Sequence, residues 1–192
     1  MRRATLTQSD PEMQRSLHRT DLETLFDQCF FATESTRLVG QAEEPFYQPA
    51  CDDQPAQIFY TRDYFRSALH EVAHWCVAGS ARRQLPDFGY WYAADGRDGQ
   101  QQLAFLQVEV KPQALELLFC AAAGHGFRVS LDNLSGEAVS PEPFEQAVWD
   151  RAALLLEQGL QGRVKQWCDV LARYYRGSDL LPAHLAQVFT RW

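Results

Sequence analysis

Ser67-Ala68-Leu69-His70-Glu71-Val72-Ala73-His74-Trp75-Cys76 is the stretch on which the reading of the chain turns. Between Asp63 and Ala78 the residues Phe65, Leu69, Val72 and Cys76 recur at helical spacing, and Gly79 follows as a stop signal. In a helix, positions four apart return to nearly the same face. His70 and His74 therefore project side by side, one turn apart, and can hold one metal ion. Glu71 points roughly 100° away from His70, beside such an ion rather than on it. An acid there serves as base, proton shuttle or orienting partner. The competing reading is two ordinary histidines on a solvated helix. Val72, Ala73, Trp75 and Cys76 argue against it, because they make the helix half-buried and leave both rings in need of partners.

Composition narrows the classes around this motif. The 192 residues are 46% hydrophobic and 12% aromatic, enough for one compact domain with a real core. A net charge of −7 disfavours a nucleic-acid-binding surface and tolerates a cationic substrate. The five cysteines, Cys29, Cys51, Cys76, Cys120 and Cys168, are widely spaced with no Cys-x-x-Cys, which excludes a zinc ribbon or a thioredoxin motif. No apolar run is long enough to span a bilayer and no secretory segment opens the chain, so a cytoplasmic location, with no membrane partner, is expected.

The expected architecture is α+β. A mainly helical single domain over residues 20–192 carries a small β-sheet beside a zincin-like helix bearing His-Glu-x-x-His, and residues 1–19 form a flexible extension. Thr20-Asp21-Leu22-Glu23 has the form of a capping box opening a helix through Phe30. Residues 36–39, 45–48 and 57–60 are strand candidates, separated by Gly40, Pro49 and Asp52-Asp53. A helix over 100–108 is followed by Pro112, placed as the first residue of a separate, apolar and central helix that Gly124 ends. Residues 127–130 suggest a short strand. Amphipathic helices are expected over 143–158 and 163–175, with a last short one from Pro182.

Two histidines are too few for a catalytic ion, which normally keeps three protein ligands and open positions. Glu109 is the first choice for the third, with Glu116 and then His125 as alternatives. Such a set suits zinc with a polarised water, the chemistry of a metallopeptidase with Glu71 as general base. It equally suits ferrous iron, whose open positions take dioxygen and substrate. Spacing does not choose between the two.

Longer blocks do. His70-Glu71-Val72-Ala73-His74-Trp75-Cys76-Val77-Ala78-Gly79, Ala81-Arg82-Arg83, Asp87-Phe88-Gly89-Tyr90-Trp91-Tyr92, Asp95-Gly96-Arg97-Asp98 and Val108-Glu109-Val110-Lys111-Pro112-Gln113-Ala114 follow in order. Ala122-Ala123-Gly124 and Asp132-Asn133-Leu134 continue the series. Together they resemble the elongation factor P hydroxylase family, from about Leu22 onward. The resemblance implies a monooxygenase that hydroxylates the β-lysyl-modified lysine of translation elongation factor P. It implies His70, His74 and Glu109 as metal ligands, Fe(II) as the working ion, dioxygen as cosubstrate and a separate reductant. It also implies a fold other than the jelly roll of 2-oxoglutarate oxygenases, and no 2-oxoglutarate. In that setting Glu71 orders a proton path or holds the substrate ammonium. Asp87, Asp95 and Asp98 are candidates for an acidic lip, against the plainer role of turn formers. Tyr90, Trp91 and Tyr92 are candidates for pocket walls, against plain core. Arg82, Arg83, Arg97 and Lys111 are either contacts for an acidic protein substrate or solvated charges.

Overall fold

Apolar residues alternate in the centre of the sheet and recur every three to four positions in the helices around it. The computed structural model describes residues 18–62, 64–89, 96–131 and 140–191. The chain opens with α1 (Arg19–Phe26), which widens into a π-helical turn (Asp27–Phe31) and closes with α2 (Ala32–Glu34). The expected capping box does not form. His18 is the N-cap, no side chain caps the helix, and Thr20 lies in its first turn. Burial of Leu22, Leu25 and Phe26 sets the start instead. The wide turn keeps Phe30 on the same side as Phe26, and both rings meet Trp75 edge-on, with centroids 4.9 and 5.2 Å away.

Three strands follow: β1 (Thr36–Ala42), β2 (Phe46–Gln48) and β3 (Ala56–Thr61). They lie close to the expected positions and form one sheet in the order β1-β3-β2. β3 runs parallel to β1, with Leu38 opposite Ile58, and antiparallel to β2, with Tyr47 opposite Ile58. Ala56, Ile58 and Tyr60 are the buried face of β3. That face packs under α3 (Phe65–Val77), the helix carrying the histidine pair.

The longest element corrects the sequence reading. α4 (Gly99–Ala123) is one helix and runs through Pro112, where two helices were expected. A proline inside a helix removes the bond to the carbonyl four residues back, here Val108. Everything from Pro112 to Ala123 is buried, so packing on all sides holds the helix together across the missing bond. Gly124, in the left-handed region at φ 75°, ends it, and the His125 amide reaches back to the Cys120 carbonyl at 2.9 Å. α5 (Glu142–Gln158), α6 (Gly162–Arg176) and α7 (Ala183–Val188) pack around α4. The short strand expected at 127–130 reduces to a single parallel bridge between Phe127 and Phe189. Among the described residues, no helix is long and apolar enough to cross a membrane.

α3 is fixed at both ends. The Ser67 hydroxyl accepts the Thr61 amide at 3.0 Å, which ties its first turn to β3. At its other end Arg163 of α6 donates to the Ala78 carbonyl at 2.8 Å and lies over the Trp75 ring at 4.3 Å.

Candidate metal centre

α3 and α4 pack antiparallel, and the pattern of polar residues across their contact shows how. On α3, Arg66, His70 and His74 recur every fourth position and line one face. On α4, Glu109 and Glu116 are seven residues apart, two turns, and also share a face. A helix broken at Pro112 would have put the two acids on different faces; the unbroken one aligns them. Arg66 therefore meets Glu116, His70 lies between the two acids, and His74 meets Glu109. Both glutamates are nearly fully buried, at 2% and 3% exposure.

The ring nitrogens His70 Nε2 and His74 Nε2 stand 3.0 Å apart. Glu109 Oε2 is 3.6 Å from the first and Oε1 is 3.4 Å from the second. One donor atom from each residue falls within 4.8 Å of the others. Adjacent donors about 2.1 Å from one ion stand roughly 3 Å apart, so this donor set fits a divalent cation. Glu116 approaches His70 from the opposite side of the ring: its Oε2 lies 2.9 Å from Nδ1. Its other oxygen accepts Arg66 Nε at 2.7 Å and pairs with Nη2 at the same distance. Among the described residues, His125 is not part of the cluster. It stacks on Phe65 at 5.2 Å and its Nδ1 faces the Gly126 carbonyl.

The electrostatics divide the two histidines. Burial opposes a charge on His70, yet the bond to Glu116 and the charges of Glu116, Glu109 and Glu71 outweigh it and carry the ring up to about 10. Burial and the neighbouring His70 charge hold His74 well below its ordinary range. With no ion bound, His70 is the cation, and it donates Nδ1–H to Glu116 and Nε2–H to His74. Burial also raises Glu71 to about 7; the charges of Glu109, Asp87 and Glu116 add to this, and His70 opposes it. Glu71 thus exchanges a proton near neutral pH.

The remaining expected site residues fare differently. Asp87 lies in a tight turn in which both it and Phe88 adopt left-handed backbone, at φ 47° and 57°. Its Oδ1 accepts the Tyr47 amide at 2.8 Å, and its charge is felt by Glu71. Asp98 is the N-cap of α4. It accepts the Gln101 amide at 2.8 Å, and the Gln101 side chain accepts the Asp98 amide in return. Tyr90, Trp91, Tyr92 and Asp95 lie outside the described residues. Arg97 is not a surface cation. It is 3% exposed, donates to Gln102 at 2.8 Å and covers the Phe105 ring at 3.8 Å. Arg83 pairs with Glu34, and Arg82 donates to the Phe88 carbonyl. The sequence reading missed Arg66, although its place four residues before His70 marked it as a neighbour on the same face.

With this geometry in hand, similarity to known proteins is informative. A family model described as Elongation factor P hydroxylase matches residues 25–185. An elongation factor P lysine hydroxylase of Haemophilus influenzae (strain ATCC 51907 / DSM 11121 / KW20 / Rd) is 45% identical over 160 residues, which cover 83% of this chain and 90% of that protein.

Proposed function

The chain belongs to the elongation factor P hydroxylase family, and from that premise we propose that it is an iron-dependent monooxygenase acting on the β-lysyl-modified lysine of translation elongation factor P. The observation that carries the metal dependence is the convergence of His70, His74 and Glu109 donor atoms within 4.8 Å. Two imidazoles and a carboxylate would hold the ion and leave positions open for small ligands. Bound there, iron supplies dioxygen activation, and a separate donor provides the two electrons that reduce the second oxygen atom to water.

The other roles belong to the chain's own residues. His70 gives up its Nε2 proton when the ion is loaded and keeps its Nδ1–H on Glu116. Glu71, poised near neutrality, takes up protons from solvent and delivers those consumed at the site. The acidic surroundings of Glu71, Glu109 and Asp87 favour a cationic substrate side chain. Asp87 is assigned to the ammonium of the modified lysine. Asp95 and Asp98 are assigned to recognition of the same cationic side chain, and Tyr90 and Trp91 to recognition of its methylenes. The family premise involves no 2-oxoglutarate.

The test is aerobic incubation of the iron-loaded protein and a reductant with elongation factor P, with and without its β-lysyl group. Mass spectrometry is expected to find one added oxygen on the modified lysine, with no 2-oxoglutarate supplied. Cleavage of the substrate without oxygen insertion would instead favour a zinc metallopeptidase.

A further inference from the structure

Of the two buried acids on the inner face of α4, only Glu109 faces the gap between the imidazoles. Both oxygens of Glu116 are engaged elsewhere. Oε1 holds the Arg66 guanidinium through Nε and Nη2, and Oε2 takes the His70 Nδ1–H. An imidazole presents Nδ1 and Nε2 on different sides of the ring. A carboxylate fixed at Nδ1 therefore sets which nitrogen carries the hydrogen and where the other lone pair points. In this site it points Nε2 toward His74 and Glu109.

We propose that Glu116 is a positioning residue: clamped by Arg66, it locks His70 in the Nδ1–H tautomer with Nε2 aimed at the ion, and is not itself a ligand. This rests on the metal-centre reading above. The clamp spans two helices. Arg66 is one turn before His70 on α3, and Glu116 is two turns after Glu109 on α4. A side chain that only oriented His70 would need one hydrogen bond; here its second oxygen takes two N–H contacts from a guanidinium. Arg66 is in turn steadied over the Phe127 ring at 5.1 Å. The guanidinium gives the carboxylate, 2% exposed, a charged partner inside the fold. α3 thus supplies two ligands and the arginine that clamps the brace, while α4 supplies the third ligand and the acid that holds His70 in place.

The test uses the full chain and cobalt(II), whose visible absorption reports the ligand field and whose affinity is read by chelator competition. With affinities corrected for the protons each variant releases, Glu116→Ala is expected to weaken cobalt binding about 10–100-fold while stoichiometry stays at one. Glu116→Gln, which keeps an acceptor for Nδ1–H, is expected to recover most of that loss. In a His70→Ala background, adding Glu116→Ala should weaken binding no further, because the effect passes through His70. Thermal melts of the metal-free variants separate stability from affinity. Four outcomes overturn the proposal: unchanged cobalt affinity in folded Glu116→Ala, an equal loss in Glu116→Gln, full additivity with His70→Ala, or loss of the cobalt stoichiometry in Glu116→Ala with retention in Glu109→Ala. A wild-type chain that binds no cobalt at all would refute the metal-centre reading instead, so the two failures are distinct.

Discussion

Loading the ion must expel a proton. In the metal-free site His70 holds two N–H hydrogens, one on Glu116 and one on His74, and its pKa stands at about 10. The ion needs the Nε2 lone pair that this second hydrogen occupies, so proton and ion compete for the same electrons. The sign follows: affinity rises with pH, about tenfold per unit, until the pH reaches the ring's own value. At pH 7.5 the gap is about 2.5 units, which leaves roughly 99% or more of the rings charged and weakens binding about 300-fold relative to the deprotonated site. His74 adds nothing, because burial and the His70 charge already keep it neutral there. Glu71, at about 7, adds up to roughly half a proton near neutrality if the ion's charge draws its pKa down. Calorimetric titration with zinc in buffers of different ionisation enthalpy measures the count directly. The expectation is one to one and a half protons released per ion at pH 7, and a dissociation constant falling about tenfold per unit from pH 6.5 to 8.5. In Glu116→Gln the release should fall, because the charged acceptor that holds His70 protonated is gone. A release far below one proton in the wild type, or an affinity flat across that range, would refute the reasoning.

Four further outcomes follow from the same geometry. Glu109→Ala should leave the circular dichroism intact but abolish stoichiometric metal and oxygen insertion; full metal retention would move the third ligand elsewhere. Asp87→Asn keeps an acceptor for the Tyr47 amide and removes the charge. It is expected to raise KM for modified elongation factor P several-fold at constant metal content, and an unchanged KM would take Asp87 out of substrate binding. Gly40→Ala would place a methyl 2.6 Å from Tyr60 Oη and 2.8 Å from Glu23 Oε1. A loss of about 1–3 kcal/mol in a urea melt is expected, with metal affinity unchanged. Asp98→Ala removes the α4 cap and should lower stability by about 1 kcal/mol; an unaltered melt would show that the capping box contributes nothing.

What could be read from the sequence was what is local in the chain. The pairing of His70 with His74 needs only helical periodicity over a dozen residues, and the apolar flanks supply it. The three strands lie close to the apolar runs, and Pro49 and Asp52-Asp53 fall outside them, but Gly40, read as a break, lies inside β1. Failures came where a distant partner decides. Pro112 signals a helix start on its own, and only burial from every side keeps α4 running through it. Phe127 finds its bridge partner at Phe189, 62 positions away (189 − 127). Thr20 lost its role as cap because α1 starts one residue before it, at Arg19, with His18 as its N-cap. The shared face of Glu109 and Glu116 depends on the same continuity through Pro112: with two helices there is no common phase, and with one helix there is.

That common phase accounts for the division of labour between the two acids. A carboxylate buried to 2–3% exposure is costly unless a cation stands beside it. Glu116 has a fixed one, the guanidinium of Arg66. Glu109 faces two imidazole nitrogens and the one positive charge of His70, a proton that an ion can replace. A fixed cation makes an acid a brace, and an exchangeable one makes it a ligand. Swapping the partners, with arginine opposite position 109, would seal the site rather than build it. The seven-residue spacing on α4, read against Arg66, His70 and His74 at four-residue steps on α3, therefore separates the group that holds the imidazole from the group that meets the ion.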